Sequence, residues 1–303
     1  MKKQTTIYAA QFYKAIRDFL QPYRRIVIHG SVNHADELGL VALFFNAVGA
    51  KHIDWEYGAT APIIGKGYRN GPELLRIDRV NKTGEDWLAD REYIQDPLCL
   101  LLDCGLQLDP LMNNFDHHQY AKGLDTAMLL TNHWKELWAS EEVLVEILTT
   151  LQRKIFLPIS KIDTGEDRSG LDGSITQCFN MTKNHKGMTA ALAWLMQLID
   201  AAVADAPLGY IARQRVKEEV EKVGVVGILR EKAIPQWEEA FIERGMHYLI
   251  RQNPQGGYSI TSADAERWEV PEDSRQTFYH PSRFFAVYET LADAIAHGKE
   301  LNC

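Results

Sequence analysis

The chain has 303 residues, enough for two hydrophobic cores rather than one. Its 46% hydrophobic and 24% charged content is the balance of a soluble globular protein, which excludes a disordered or membrane-embedded chain. A net charge of −8 without a long basic run excludes a wrapper of duplex nucleic acid, which needs many Lys and Arg contacts to phosphate. A short oligonucleotide or a mononucleotide held at a metal stays compatible with it.

The basic start Met1-Lys2-Lys3-Gln4 runs into Gln11, Lys14, Arg17 and Asp18, so the apolar core of a signal peptide is not there. Ile7, Phe12, Ile16, Phe19 and Leu20 share one face at helical spacing and predict an amphipathic helix over 6–20, stopped by Pro22. Residues 24–29 read as a buried strand, and 36–48 as a helix that is apolar nearly all round and ends at Gly49. Strand, polar loop and buried helix open an α/β unit. A second strand is expected at 52–57, and loops with a short helix or two from 58 to 96. The continuous apolar run 98–102 is typical of a strand covered on both faces.

Helices are expected at 141–157, 189–204 and 208–223. The apolar run 188–204 contains Gln197 and Asp200 and is short for a membrane span, so no membrane partner is expected. Composition changes after about residue 224, which puts the domains at 1–224 and 225–303. In the second, 246–251 and 258–261 flank Asn253-Pro254-Gln255-Gly256-Gly257 as a hairpin, 277–280 and 284–288 read as strands, and 291–301 as a closing helix. Cys99, Cys104, Cys178 and Cys303 lack a zinc spacing and read as buried reduced thiols, in keeping with a cytoplasmic setting. Trp134, Trp138, Trp194 and Trp237 read as core or packing residues.

Metal-ligand residue types gather at the ends of these strands. His29 ends the first strand, His34 and Asp36 follow in its loop, Asp103 ends the 98–102 strand, and Asp116-His117-His118 comes next. In a parallel α/β sheet these carboxyl ends face one crevice. Mixed imidazole and carboxylate donors suit Mn²⁺, Fe²⁺ or Zn²⁺. With Asp163 added, the six donors His29, His34, Asp36, Asp103, His117 and Asp163 exceed one tetrahedral ion and suit two that share a carboxylate, which clamp the oxygens of a phosphoryl displacement. Two divalent ions against Asp36, Asp103 and Asp163 leave a positive remainder for an anionic phosphoryl group.

The ordered set His29/His34/Asp36, Asp103, Asp116-His117-His118 and Asp163 resembles the DHH phosphoesterase superfamily. Within it, His29-Gly30-Ser31-Val32-Asn33-His34-Ala35-Asp36-Glu37 and Phe115-Asp116-His117-His118-Gln119 are most similar to the Myg (melanocyte proliferating gene) exonuclease family. Tyr279-His280-Pro281-Ser282-Arg283-Phe284 resembles that family's C-terminal substrate-side stretch. The chain departs from the family in the glycine that directly follows His29, in its N-terminal helix, in the long 58–96 segment, and in Cys104-Gly105-Leu106 where the family has a glycine pair.

The resemblance implies a parallel-sheet DHH-type N-terminal domain and a smaller α+β C-terminal domain, with the active site in the cleft between them. It implies two divalent ions of the Mn²⁺ kind, one on His29, His34 and Asp103 and the other on Asp36, Asp103, His117 and Asp163. Asp103 would bridge, His118 would contact the scissile phosphate, and Asp116 would orient a histidine. His280, with Ser282 and Arg283, would hold a substrate phosphate. The activity implied is a 3′–5′ exonuclease on RNA or short oligonucleotides, using a water activated by both ions. A hydrolase of a dinucleotide, nucleotide or pyrophosphate, and a non-enzymatic binding module of the same fold, are the alternatives.

Overall fold

The computed structural model describes residues 2–29, 34–49, 61–63, 75–80, 91–105, 108–118, 124–166, 174–230 and 233–301. The packing divides the chain into two compact units, Met1–Ala206 and Pro207–Cys303.

In the first unit, helix α1 (Lys2–Leu20) leads to strand β1 (Arg25–His29) and helix α2 (Ala35–Val48). Strands β2 (Ala61–Ile63), β3 (Leu75–Val80), β4 (Cys99–Leu102), β5 (Leu108–Asp109) and β6 (Asn114–Phe115) complete a six-stranded sheet of order β2-β3-β1-β4-β6-β5. Its four inner strands pair in parallel, and the edge strands β2 and β5 run antiparallel to them. β1 is flanked by β3 on one side and β4 on the other, so the sheet reverses direction of winding beside His29. Such a switch point is where α/β sheets bind ligands.

Ile26 and Ile28 of β1 and Leu100 and Leu102 of β4 face the same core as α2, which is buried on nearly every side. An all-round apolar helix can be stable only inside a core. Gly39 lets α2 approach Phe156, whose ring lies 3.1 Å from where a Cβ would stand.

The chain from 142 onward does not follow the expected single helix over 141–157. Helix Glu142–Leu151 passes through a π turn, Gln152–Phe156, into helix Leu157–Asp163. Leu157 N–H bonds to Gln152 O, one residue further back than in an α-helix. Pro158 follows at once, and its missing N–H explains the break. The inserted residue turns everything after it by about 100° relative to a regular helix, and that portion ends on Asp163.

Three sequence expectations change. The 58–96 stretch holds the expected short helix, Arg91–Ile94, but also two strands: β2, and β3 as the parallel neighbour of β1, with Ile77 buried. The helices expected at 189–204 and 208–223 are one, Met188–Glu219, which runs through Pro207 and hands over to strand β7 (Val220–Val223). The division falls at Pro207 and not after residue 224, because Ala212, Val216 and Val220 pack into the second unit's core. By length and composition this helix could cross a membrane, but 44% of its apolar window is buried and Leu192, Leu195, Ile199 and Val203 belong to the first core. Helix Thr126–Leu137 was not anticipated at all. The strand expected at 52–57 lies outside the described residues.

In the second unit, β7, β8 (Val226–Leu229), β9 (Tyr248–Gln252), β10 (Tyr258–Ser262), β11 (Gln276–Tyr279) and β12 (Phe285–Tyr288) form a sheet of order β11-β12-β10-β9-β8-β7. β9 and β10 pair as the expected hairpin, and helix Leu291–Glu300 packs on this sheet. Trp134 is fully buried and Trp237 buried. Cys99 and Cys104 are buried thiols, whereas Cys178 is half-buried and Cys303 lies outside the described residues.

Candidate metal centre

β1, β4 and β6 lie side by side and run in parallel, so the residues after their carboxyl ends meet. His29 closes β1, Asp103 follows β4, and Asp116, His117 and His118 follow β6. His34 and Asp36 enter from the start of α2, and Asp163 from the helix re-registered by the π turn.

Asp103 is the hub. Its Oδ2 is 3.1 Å from His34 Nδ1, and its Oδ1 is 3.0 Å from His117 Nε2 and 3.7 Å from His118 Nδ1. Asp163 stands 3.7 Å from His34 Nδ1 and 3.6 Å from His117 Nε2. Three triads bring ligand atoms within 4.8 Å of one another: His34, Asp36 and Asp103; Asp36, His117 and Asp163; Asp103, His117 and His118. Asp36 and Asp103 each serve two of them. His29 belongs to none, although its ring lies 6.1 Å from both the His34 and the His118 rings.

The backbone is shaped for this. Asp103 has φ +54°, a left-handed conformation that costs a non-glycine residue about 1–2 kcal/mol and marks over-determined sites. Its N–H bonds to Phe115 O, tying the end of β4 to the DHH segment at 3.1 Å. Gly105, at φ +97°, passes so close to Asn114 that a Cβ would stand 2.6 Å from Nδ2. Glu37 accepts from the N–H of His29 at 3.1 Å and of His34 at 3.4 Å, tying the end of β1 to the start of α2. Its carboxylate serves the backbone, while the adjacent Asp36 faces the cluster.

The electrostatics fit a cation. Burial and the neighbouring Asp103, Asp125, Asp163 and Glu37 push Asp36 well above the usual carboxylate range, and burial also raises Asp163. Burial would raise Asp103 as well, but contacts with His117 and His34 outweigh it and hold its carboxyl well below that range. His34 is raised by its contact with Asp103. His117 is raised too, because Asp103 outweighs the opposing effect of burial, whereas burial lowers His29. Asp116, bonded to the ring, lifts His118 to about 9.

The buried atoms His29 Nδ1, His34 Nδ1, both Asp36 oxygens, Asp103 Oδ2 and His117 Nε2 have no partner in hydrogen-bond geometry among the described residues, although several stand within 3.0–3.7 Å of one another. Buried donors and acceptors left this way are costly. Lone pairs that converge without bonding each other are what a divalent ion requires, so the donor set fits one or two such ions.

Sequence reasoning missed Asp125 and Thr126. Asp125 caps helix Thr126–Leu137 through Met128 N–H at 2.8 Å, and burial lifts it to about 7. Thr126 Oγ1 donates to Phe115 O at 3.0 Å and reaches Asp103 Oδ1 at 3.5 Å. Asp-Thr before an apolar periodic run is an N-cap signal that could have located both. His280, Ser282 and Arg283 lie in the second unit, in a turn where Arg283 N–H bonds to His280 O at 2.8 Å. Ser282 N–H donates to His280 Nδ1 at 3.1 Å, which leaves Nε2 as the protonated donor. Arg283 is paired with Glu269 at 2.8 Å.

No family model matches the chain, and no curated protein does. Among solved structures it is similar to one described as "pGpG-specific phosphodiesterase - PggH from Vibrio cholrae", at 11% identity over 92% of this chain and 97% of that one, with a TM-score of 0.24.

Proposed function

We propose that the protein is a metal-dependent phosphoesterase of the DHH kind, and that its substrate is the end of a short RNA or other oligonucleotide, cut 3′ to 5′. The observation that carries this is the sharing of Asp36 and Asp103 between overlapping histidine and carboxylate triads, with their buried oxygens unpartnered. Shared carboxylates are how a protein holds two ions close enough to clamp both oxygens of a displacement. Bound there, divalent ions such as Mn²⁺ would supply an activated water and neutralise charge on the phosphoryl group.

The chain's own part follows from its residues. His34, Asp36, Asp103, His117 and Asp163 would hold the ions, with His29 completing the set from the end of β1. Asp116 keeps His118 cationic and aimed, so His118 can stabilise the scissile phosphate. His280, through Nε2–H, would take a second phosphate, with Ser282 and Arg283 beside it.

Net charge gives the second reading its ground. At −8, a small phosphate compound such as a linear dinucleotide suits the chain better than a long polyanion. Incubation with Mn²⁺ and 5′-labelled short RNA and DNA, dinucleotides and pyrophosphate separates the two. Laddering from the 3′ end supports the exonuclease, and turnover of the small compounds alone replaces it with the second reading. No turnover with any metal, and no metal by elemental analysis, would leave a binding module. Asp103→Ala is expected to lose both metal and activity; full retention of either would remove Asp103 from the bridge.

A further inference from the structure

Asp125 has more charge than its structural task needs. An N-cap needs one acceptor, and Asn or Ser serves as well as Asp. Asp125 Oδ1 does that work at Met128 N–H, and its own N–H is bonded to Ser160 Oγ at 3.2 Å. The second oxygen, Oδ2, is buried and has no hydrogen-bond partner among the described residues, and the residue is fully buried. A helix N-terminus favours an anion only weakly, which does not offset the cost of burying a charge.

Its surroundings sharpen the problem. Thr126, next in the chain, reaches Asp103, and Ser160 sits one helical turn before Asp163. Asp36, Asp103 and Asp163 all act on Asp125 as like charges. A fourth carboxylate in this nest is unfavourable by itself and favourable only beside cations.

We infer that Asp125 is part of the metal centre, an outer carboxylate whose unpartnered Oδ2 strengthens the hold of the His34–Asp36–Asp103–His117–Asp163 cluster on divalent cations. This rests on reading that cluster as a metal site. Asp125 stands in none of the ligand triads and acts on the site by its charge, as a positioning residue and not a ligand.

The test is Mn²⁺ titration by calorimetry on the full chain after chelator stripping, for wild type, Asp125→Asn and Asp125→Ser. Both variants keep the cap. Both are expected to bind Mn²⁺ about 10–100-fold more weakly, the range seen when outer partners of metal ligands are removed. The melting temperature of their metal-free forms should be equal to wild type or higher. Wild-type affinity in Asp125→Asn overturns the inference, as does weakening in Asp125→Ser alone, which would make Asp125 a cap and nothing more. Failure of the wild type itself to bind Mn²⁺ removes the metal reading first, and the inference with it.

Discussion

One oxygen of Asp116 holds His118 twice: Oδ1 accepts from the ring Nδ1 at 2.6 Å and from the backbone N–H at 2.9 Å. The first bond sets the charge of the ring and the second sets its direction. In metal-free protein followed by NMR, His118 should titrate at about 9 in wild type and move down toward 6.5 in Asp116→Asn. Because the folded value is raised, the pair stabilises the metal-free fold fully below about pH 6.5, and that contribution disappears as pH rises through about 9. An unchanged His118 titration in the variant would sever the link.

Asp36→Asn should separate stability from function. Burial and four acidic neighbours disfavour the Asp36 anion, so a neutral isostere relieves the metal-free fold. Its melting temperature at about pH 8 is expected to exceed that of stripped wild type. Bound metal and phosphoesterase activity should fall together, which elemental analysis and turnover would read side by side.

Chelation should reverse the pH dependence of stability. Asp36, Asp125, Asp163, His34, His117 and His118 are all raised in the fold, so the metal-free protein binds more protons folded than unfolded. Its stability therefore decreases as pH rises, from about pH 4 through the Asp125 value of about 7 to the His118 value of about 9. His29, His247 and His297, which are lowered, oppose this only below about pH 6.5, and Asp103, Asp273 and Glu219 only in the acid range. Metal needs deprotonated ligands, so saturating Mn²⁺ should flatten or invert the slope. Thermal melts with and without chelator across this range decide it.

Gln152 holds the π turn against helix Thr126–Leu137, donating from Nε2 to Thr131 Oγ1 and Asn132 Oδ1, both at 2.8 Å. Gln152→Ala is expected to cost about 1–3 kcal/mol in urea unfolding, the value of buried hydrogen bonds left open. It should also weaken metal binding, since Asp163 is carried on the helix that follows.

His280→Ala should raise KM at unchanged metal content, because His280 is proposed to hold substrate and not ions. Arg283→Ala should do less, its guanidinium already being matched by Glu269 in an exposed pair. Loss of metal in His280→Ala would place His280 in another role.

Two of the three strands that carry the cluster, β1 and β4, were readable because buried parallel strands are continuous apolar runs, as in Ile26-Val27-Ile28 and Leu100-Leu101-Leu102, whereas the two-residue β6 is too short to leave one. β3 escaped because Leu75-Arg76-Ile77-Asp78-Arg79-Val80 carries three charged residues and alternates only as far as Asp78, so it does not stand out from a charged stretch without clear period. The donor residue types of the cluster were visible in order along the chain. Their grouping of Asp36 with His117 and Asp163, and of His34 with Asp103, is the one the resemblance implies; what the sequence did not show is that His29 stands in none of the triads and His118 joins one. The turn of helix that aims Asp163 comes from a π segment, and no 3.6-residue periodicity can reveal an inserted residue. Asp125 was hidden because the helix it caps, Thr126–Leu137, was not anticipated.

The left-handed backbone at Asp103 acts as a filter on what the position can become. Conformation admits Gly freely and Asn and Asp more readily than other side chains, and only Asp offers an anionic donor. Asn or Gly at position 103 would keep the backbone of the turn and remove the anionic donor, so on the proposed metal reading the metal site can be lost at this one position while the fold is kept.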